Sequence, residues 1–207
     1  MLLRATGKYL PVRWMFFFRE ALTETIGLEG TNAVLRAIPS PIPFPEGSAK
    51  DLEKSVDFSC YSAICASVTA FYGESGARRI LTSAGRTAFT RLLKMTAAMV
   101  GAEHSGFPIR SAASQFEVRM QSIVRLLGLV SDVECKCEIA GDEVRFRIIS
   151  CPECAGRPAA GYRCHSMGGM VQAAADWLGA GSTVKTAEIR CMAQGDPQCE
   201  FSIAGVL

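Results

Sequence analysis

The apolar periodicity of this chain changes at Gly128, and that change limits the folds open to it. Upstream, apolar residues recur at helical spacing from Trp14 to Ile26, through about Ile38, from about Asp51 to Tyr72, from about Ala77 to Val100, and from Ala112 to Leu127. Gly27-Leu-Glu-Gly30 and Gly73-Glu-Ser-Gly76 each end one helix and open the next. Downstream, Val130 to Ile139 and Val144 to Ile149 alternate apolar and charged residues around a Gly141-Asp142 turn, which is strand spacing. Cys164 to Leu178 returns to helix and stops at Gly179-Ala-Gly181. A second strand pair follows, Thr183 to Met192 and Cys199 to Ile203, joined through Gly195-Asp196-Pro197. The order helices, hairpin, helix, hairpin predicts an α+β fold, its helical N-terminal half packed on an antiparallel sheet of about four strands. We read residues 1–207 as one domain, mainly helical over 1–129 and with its α/β core over 130–207. Pro39, Pro41, Pro43 and Pro45 predict a stiff loop between the first helices.

Charge excludes little and favours nothing electrostatic: 22 Lys plus Arg stand against 20 Asp plus Glu, a net charge of +2. The apolar run Trp14 to Phe18 is bracketed by Arg13 and Arg19, too short for a membrane span or a secretory leader. A cytoplasmic protein with no membrane span is the expectation.

Cysteine placement is the second informative feature. Of nine cysteines, five (Cys151, Cys154, Cys164, Cys191 and Cys199) fall in the last third, and an odd total cannot close completely into intramolecular disulfides. The turn from Ala193 to Gln198 brings Cys191 and Cys199 together. Glu188 lies three residues before Cys191 on the same strand, so a bulge or the strand's twist is needed to aim both at one point. Cys164 opens a helix, where the N-terminus favours a thiolate, and can supply a fourth ligand. Three thiolates and a carboxylate suit tetrahedral zinc. Cys151-Pro-Glu-Cys154 is itself a metal knuckle, so six candidates compete for four places, and zinc suits them better than an iron–sulfur cluster. Four protein ligands make a closed, structural site with no position for an activated water.

Three stretches resemble a known family. Val144-Arg-Phe-Arg-Ile-Ile-Ser-Cys151-Pro-Glu-Cys154, the helix opened by Cys164 with Gly168 and Gly169, and Glu188-Ile-Arg-Cys191-Met-Ala-Gln-Gly195-Asp196-Pro-Gln-Cys199-Glu-Phe201 look like the 4-vinyl reductase domain, a predicted hydrocarbon-binding domain. Tyr72-Gly73-Glu-Ser-Gly76-Ala-Arg and Leu126-Leu-Gly128-Leu-Val130 resemble the helical part that precedes it, so the likeness runs from about residue 14 to 204. It implies a fold shared with transport-particle (TRAPP) subunits and with ligand-sensing domains of phenol-responsive bacterial activators. In those sensors the matching residues hold zinc near an aromatic pocket, which here selects Cys164, Glu188, Cys191 and Cys199. Cys151 and Cys154 have no counterpart in the sensors and stand as alternative ligands. The same resemblance implies a homodimer.

Function follows from these expectations. Phe71, Phe89, Leu92, Leu93, Phe116, Met120 and Ile123 on helices, with Ile148 on the sheet, are candidates to line a pocket for a hydrophobic, aromatic or tetrapyrrole-like molecule, though each taken singly also reads as core. The expected function is a small-molecule sensor or carrier with structural zinc. The alternative is a reductase or accessory factor acting on the vinyl group of a bacteriochlorophyll precursor. That chemistry needs a hydride donor, yet neither a Gly-x-Gly-x-x-Gly after a strand nor a P-loop occurs. His165, beside Cys164, can support the metal or replace a ligand, and His104 sits in a loop from 104 to 110. A nucleic-acid partner is not expected: Arg157, Arg163, Lys185 and Arg190 face five acidic residues between Cys151 and Phe201.

Overall fold

The computed structural model describes residues 4–39, 42, 52–96, 99, 112–141, 143–156, 163–178 and 184–205. Pro41, Pro43, Pro45, the loop at 104–110 with His104, Asp142, Arg157 and the helix stop at 179–181 lie outside them.

The helical half begins with a short strand, β1 (Tyr9–Pro11), which runs directly into α1 (Val12–Arg36). β2 (Lys54–Asp57) pairs antiparallel with β1 and leads into α2 (Phe58–Thr96). The helix expected from about Asp51 therefore starts at Phe58. The reason is local: Asp57 accepts the backbone N–H of Ser59 at 2.8 Å, an N-cap bond, and also those of Thr6 at 2.9 Å and Gly7 at 3.0 Å. One carboxylate thus starts α2 and ties the N-terminal segment to it.

Both expected Gly-x-x-Gly breaks are present as kinks. Gly27 (φ 74°, ψ 166°) and Gly73 (φ 66°, ψ 172°) take nearly the same left-handed, extended conformation, which glycine reaches without steric cost. α3 (Ala112–Val130) buries Phe116, Met120, Ile123, Leu126, Leu127 and Val130 as the helical spacing requires.

The remainder is β3 (Cys135–Ala140), β4 (Glu143–Ile148), α4 (His165–Trp177), β5 (Lys185–Arg190) and β6 (Cys199–Ala204). They form an antiparallel sheet in the order β3-β4-β6-β5. The α+β class, the helical N-terminal half and the four-stranded sheet all stand as the sequence predicts. Val144 faces Ile203, Phe146 faces Phe201 and Ile148 faces Cys199 across the β4–β6 pair, and all six are buried against the helices. On the other face Arg145 and Arg147 pair with Glu143, Glu138 and Glu200, which accounts for the charged alternation.

α4 crosses α2 on bare backbone. A Cβ at Gly85 would lie 2.1 Å from the Ser166 carbonyl oxygen, and one at Gly169 would lie 2.2 Å from that of Thr82. The two glycines let the helices approach where any side chain would separate them. Among the described residues no helix is long and apolar enough to cross a membrane.

Candidate metal centre

Four chain segments deliver six candidate ligands to one place. The strand exit after β4 carries Cys151 and Cys154, the N-cap of α4 is Cys164, the end of β5 carries Glu188 and Cys191, and β6 opens with Cys199. The predicted bulge exists: Glu188 faces Phe201 but Arg190 faces Glu200, so β5 advances two residues while β6 advances one. That extra residue turns Glu188 and Cys191 to the same side.

The sulfurs are at contact distance. Cys164 lies 3.0 Å from Cys154, 3.5 Å from Cys151, 3.7 Å from Cys191 and 3.5 Å from Cys199. Cys154 lies 3.7 Å from Cys191 and 3.5 Å from Cys199. A tetrahedral ion with bonds of about 2.3 Å places its thiolates about 3.8 Å apart, so the spacing matches a single coordinated ion. Two overlapping sets hold their donor atoms within 4.8 Å of one another: Cys151, Cys154, Cys164 and Cys199, and the sequence-expected Cys164, Glu188, Cys191 and Cys199. All five cysteines are buried and Glu188 is half-buried.

Backbone and side-chain hydrogen bonds hold this geometry. The carboxylate of Glu188 accepts the Cys164 N–H with both oxygens, at 3.0 and 3.2 Å. In the knuckle between Cys191 and Cys199, Asp196 accepts the Cys191 N–H at 2.8 Å, the Met192 N–H points at the Cys199 sulfur at 3.4 Å, and Gly195 takes φ 99° to close the turn. Glu153, inside Cys151-Pro-Glu-Cys154, is wholly buried and accepts the N–H groups of Ser166 (3.2 Å) and Met167 (2.9 Å). It caps the start of α4, which locks the knuckle to the helix that carries Cys164. The sequence reading missed Glu153; its one signal is an acidic residue between two cysteines shortly before a helix.

Electrostatics favour a cation among these thiols. Hydrogen bonds from Cys151, Cys164 and Cys191 hold the Cys154 thiol down to about 6. Burial pushes Cys151 up to about 11, and hydrogen bonds with Cys151, Cys154 and Cys191 raise Cys164 well above the ordinary thiol range. Burial, with the nearby Cys191, pushes the Glu188 carboxyl up to about 8. Cys191 is also lowered, its hydrogen bond with Cys154 being outweighed by those with Cys164 and Cys199, whereas Cys151, Cys164, Cys199 and the Glu188 carboxyl resist further negative charge, a resistance that a dication would remove.

A cleft of about 880 Å³ lies beside the cluster. α4 contributes its N-cap Cys164, His165, Gly168 and Gln172; α2 contributes Glu74, Arg78 and Thr82; the sheet contributes Thr186, Glu188 and Phe201. His165, the one histidine among the described residues, places Nε2 2.7 Å from Glu74 Oε1 and joins neither ligand set. Of the sequence-named pocket residues, Phe89, Leu92, Leu93, Phe116, Met120, Ile123 and Ile148 are packed into the core at 4% exposure or less. Phe71 is 53% exposed and borders a second, apolar cavity of about 400 Å³ at the exit of α1.

The elements and centre define an α+β domain whose fold recurs in solved structures. An H-NOX protein from S. oneidensis in the Fe(II) ligation state superposes with a TM-score of 0.58 at 12% identity, covering 93% of this chain and 94% of its own. An H-NOX structure concerned with heme distortion gives 0.52 at 12%, over 92% and 90%. A trafficking protein particle complex subunit 3 from Naegleria fowleri, covalently bound to palmitic acid, gives 0.52 at 13%, over 71% of this chain and 91% of its own. At these identities the likeness is one of fold. The transport-particle architecture expected from the sequence is borne out, and the H-NOX likeness adds to it. No protein-family model and no curated protein matches the chain.

Proposed function

We propose that this chain is a small-molecule binding module of the sensor or carrier type, akin to 4-vinyl reductase domains, built around a structural zinc ion. The observation that carries the reading is the buried thiol cluster, whose members are spaced for one tetrahedral ion and come from the same segments that wall the adjoining cleft. The ion would be held by Cys154, Cys164, Cys191 and Cys199. Five of the six distances within that set are 3.0–3.7 Å. Glu188, with both oxygens on the Cys164 amide, then orients a ligand instead of being one. Such a closed site supplies folding free energy and no catalytic water. A multi-iron cluster lies between its thiolates and needs them farther apart than sulfur contact.

A heme, the group named for the H-NOX structures, does not fit the residues of the cleft. Glu74, Arg78, Thr82, Gln172 and Thr186 would set charged, hydroxyl and amide groups against the faces of a porphyrin, and the Nε2 of His165 is engaged by Glu74.

A native mass spectrum of protein purified without added metal tests the reading. It is expected to show a homodimer with one zinc per chain and a bound apolar adduct. A bare apoprotein would overturn it, and a flavin mass would favour the vinyl-reductase alternative.

A further inference from the structure

Five buried thiols meet where a tetrahedral ion offers four positions. With Cys154, Cys164, Cys191 and Cys199 on the ion, Cys151 is left over. It is 3% exposed, and its sulfur lies 3.5 Å from that of Cys164 and within 4.8 Å of those of Cys154 and Cys199. A thiol that no metal deprotonates keeps its proton, so Cys151 stands as a free thiol against a metal-bound thiolate. Cys164 is the sulfur that the other four touch, and of the five it is the one bordering the cleft of about 880 Å³. Glu74, Ser75, Arg78 and Arg163 around that cleft are exposed, so it opens to solvent.

We propose that the centre is also a thiol-oxidation site, at which a small hydroperoxide oxidises Cys164, Cys151 closes a disulfide onto it, and zinc is set free. The assignment rests on the zinc reading and gives that centre a regulation. The Cys164 thiolate attacks one peroxide oxygen, the O–O bond breaks, and the departing hydroxide takes a proton from solvent to leave as water, so that Cys164 becomes a sulfenic acid. The Cys151 sulfur then attacks that of Cys164. The S–O bond breaks, the S–S bond forms, and the thiol proton leaves with the hydroxyl as a second water. Each sulfur gives up one electron, the peroxide takes both, and zinc stays divalent with three thiolates instead of four.

Cys154 lies closer to Cys164, at 3.0 Å, but a metal-bound thiolate must leave the ion before it can condense, whereas Cys151 is free to do so. Glu153, from the same knuckle, still bonds the Ser166 and Met167 amides after the ion departs, which keeps the segments together for reduction. Glu188 holds the Cys164 N–H and borders the cleft, so the change at Cys164 reaches the cleft wall.

Hydrogen peroxide added to the zinc-loaded full chain beside a colorimetric zinc chelator tests the site, with non-reduced peptides mapped by mass spectrometry. The wild type is expected to release its zinc as a Cys151–Cys164 disulfide forms, and to regain it with dithiothreitol and added zinc. Cys151→Ser should be isolated with the same zinc content, release it about tenfold more slowly, and carry sulfinic acid on Cys164 in place of the disulfide. Cys137→Ser, which removes a buried thiol on β3 outside both ligand sets, should behave as the wild type. Zinc that the wild type retains, or that leaves it and Cys151→Ser at the same rate, would overturn the proposal while the zinc reading stands. So would a first disulfide that joins two of the four ligands and leaves Cys151 open to alkylation, a result read on the wild type alone should Cys151→Ser fail to fold. Folded Cys151→Ser isolated without zinc would overturn it by making Cys151 a ligand. Wild type isolated without zinc would overturn both readings.

Discussion

Replacing Gly169 by alanine probes the crossing of α2 and α4, on which the position of Cys164 depends. The new Cβ would lie 2.2 Å from the Thr82 carbonyl oxygen, 2.9 Å from the Arg86 nitrogen and 3.0 Å from the Thr82 carbonyl carbon, all backbone atoms that cannot rotate away. The first contact is roughly 1 Å short of an ordinary carbon–oxygen separation of about 3.3 Å, so the helices must part by about that much. Helix propensity favours the substitution by about 1 kcal/mol. Overpacking of a close helix pair costs about 1–3 kcal/mol or more and here adds the loss of contacts on both sides of the crossing. The net expectation is a loss of about 1–3 kcal/mol, or roughly 3–10 °C in Tm for a domain of this size. Cys164 is the N-cap of the same helix, so its sulfur should also move relative to Cys191 and Cys199, and zinc per chain should fall. Thermal unfolding and metal content are measured together, with Gly128→Ala as control: nothing lies within 4 Å of a Cβ there, and a slight stabilisation of up to about 1 kcal/mol is expected. If Gly169→Ala keeps its zinc and melts at or above the wild-type temperature, the close crossing is refuted.

Further substitutions separate the roles around the centre. Cys154→Ser should lose zinc and several kcal/mol of stability, because binding and folding free energies are linked; Glu188→Gln should keep zinc, and the reverse pattern in metal analysis would put the carboxylate in the ligand set. Asp57→Ala should cost about 1–2 kcal/mol in denaturant unfolding through loss of the α2 cap. Burial opposes ionisation of Asp57, but hydrogen bonds from Ser59, Thr6 and Gly7 outweigh it and hold the carboxyl below its ordinary value of 3.8. Its stabilisation is therefore complete above that value and fades as pH falls through the lower folded-state value, so wild type and Asp57→Ala should converge in stability only in strong acid.

How much of this was legible in the sequence depended on how local each signal was. The hairpin–helix–hairpin order, the bulge beside Glu188 and the turn joining Cys191 to Cys199 are written in short stretches of alternation and turn residues, and the structure has them all. The β1–β2 pair was not legible: three- and four-residue strands separated by more than forty positions carry no periodicity of their own, and residues before Phe58 passed as helix. Helical spacing identified the buried face bearing Phe89, Leu92, Met120 and Ile123, but spacing cannot tell packed core from the wall of a cavity, and these residues are buried and border neither the cleft nor the apolar cavity. Conversely, the wall that α2 gives the apolar cavity is mostly alanine and serine, which raise no hydrophobic signal. Glu153 acts through backbone groups of a helix more than ten residues away, a relation that only the folded chain displays. The likeness to H-NOX proteins, at 12% identity, resides in the course of the backbone.

The central claim is that the buried cysteines hold one structural zinc ion, and X-ray absorption at the zinc edge of the purified protein tests it most directly. The account predicts one zinc per chain with a first coordination shell of four sulfurs at about 2.3 Å. A shell of oxygen and nitrogen ligands, or protein that folds and melts identically with no zinc in it, would contradict the account.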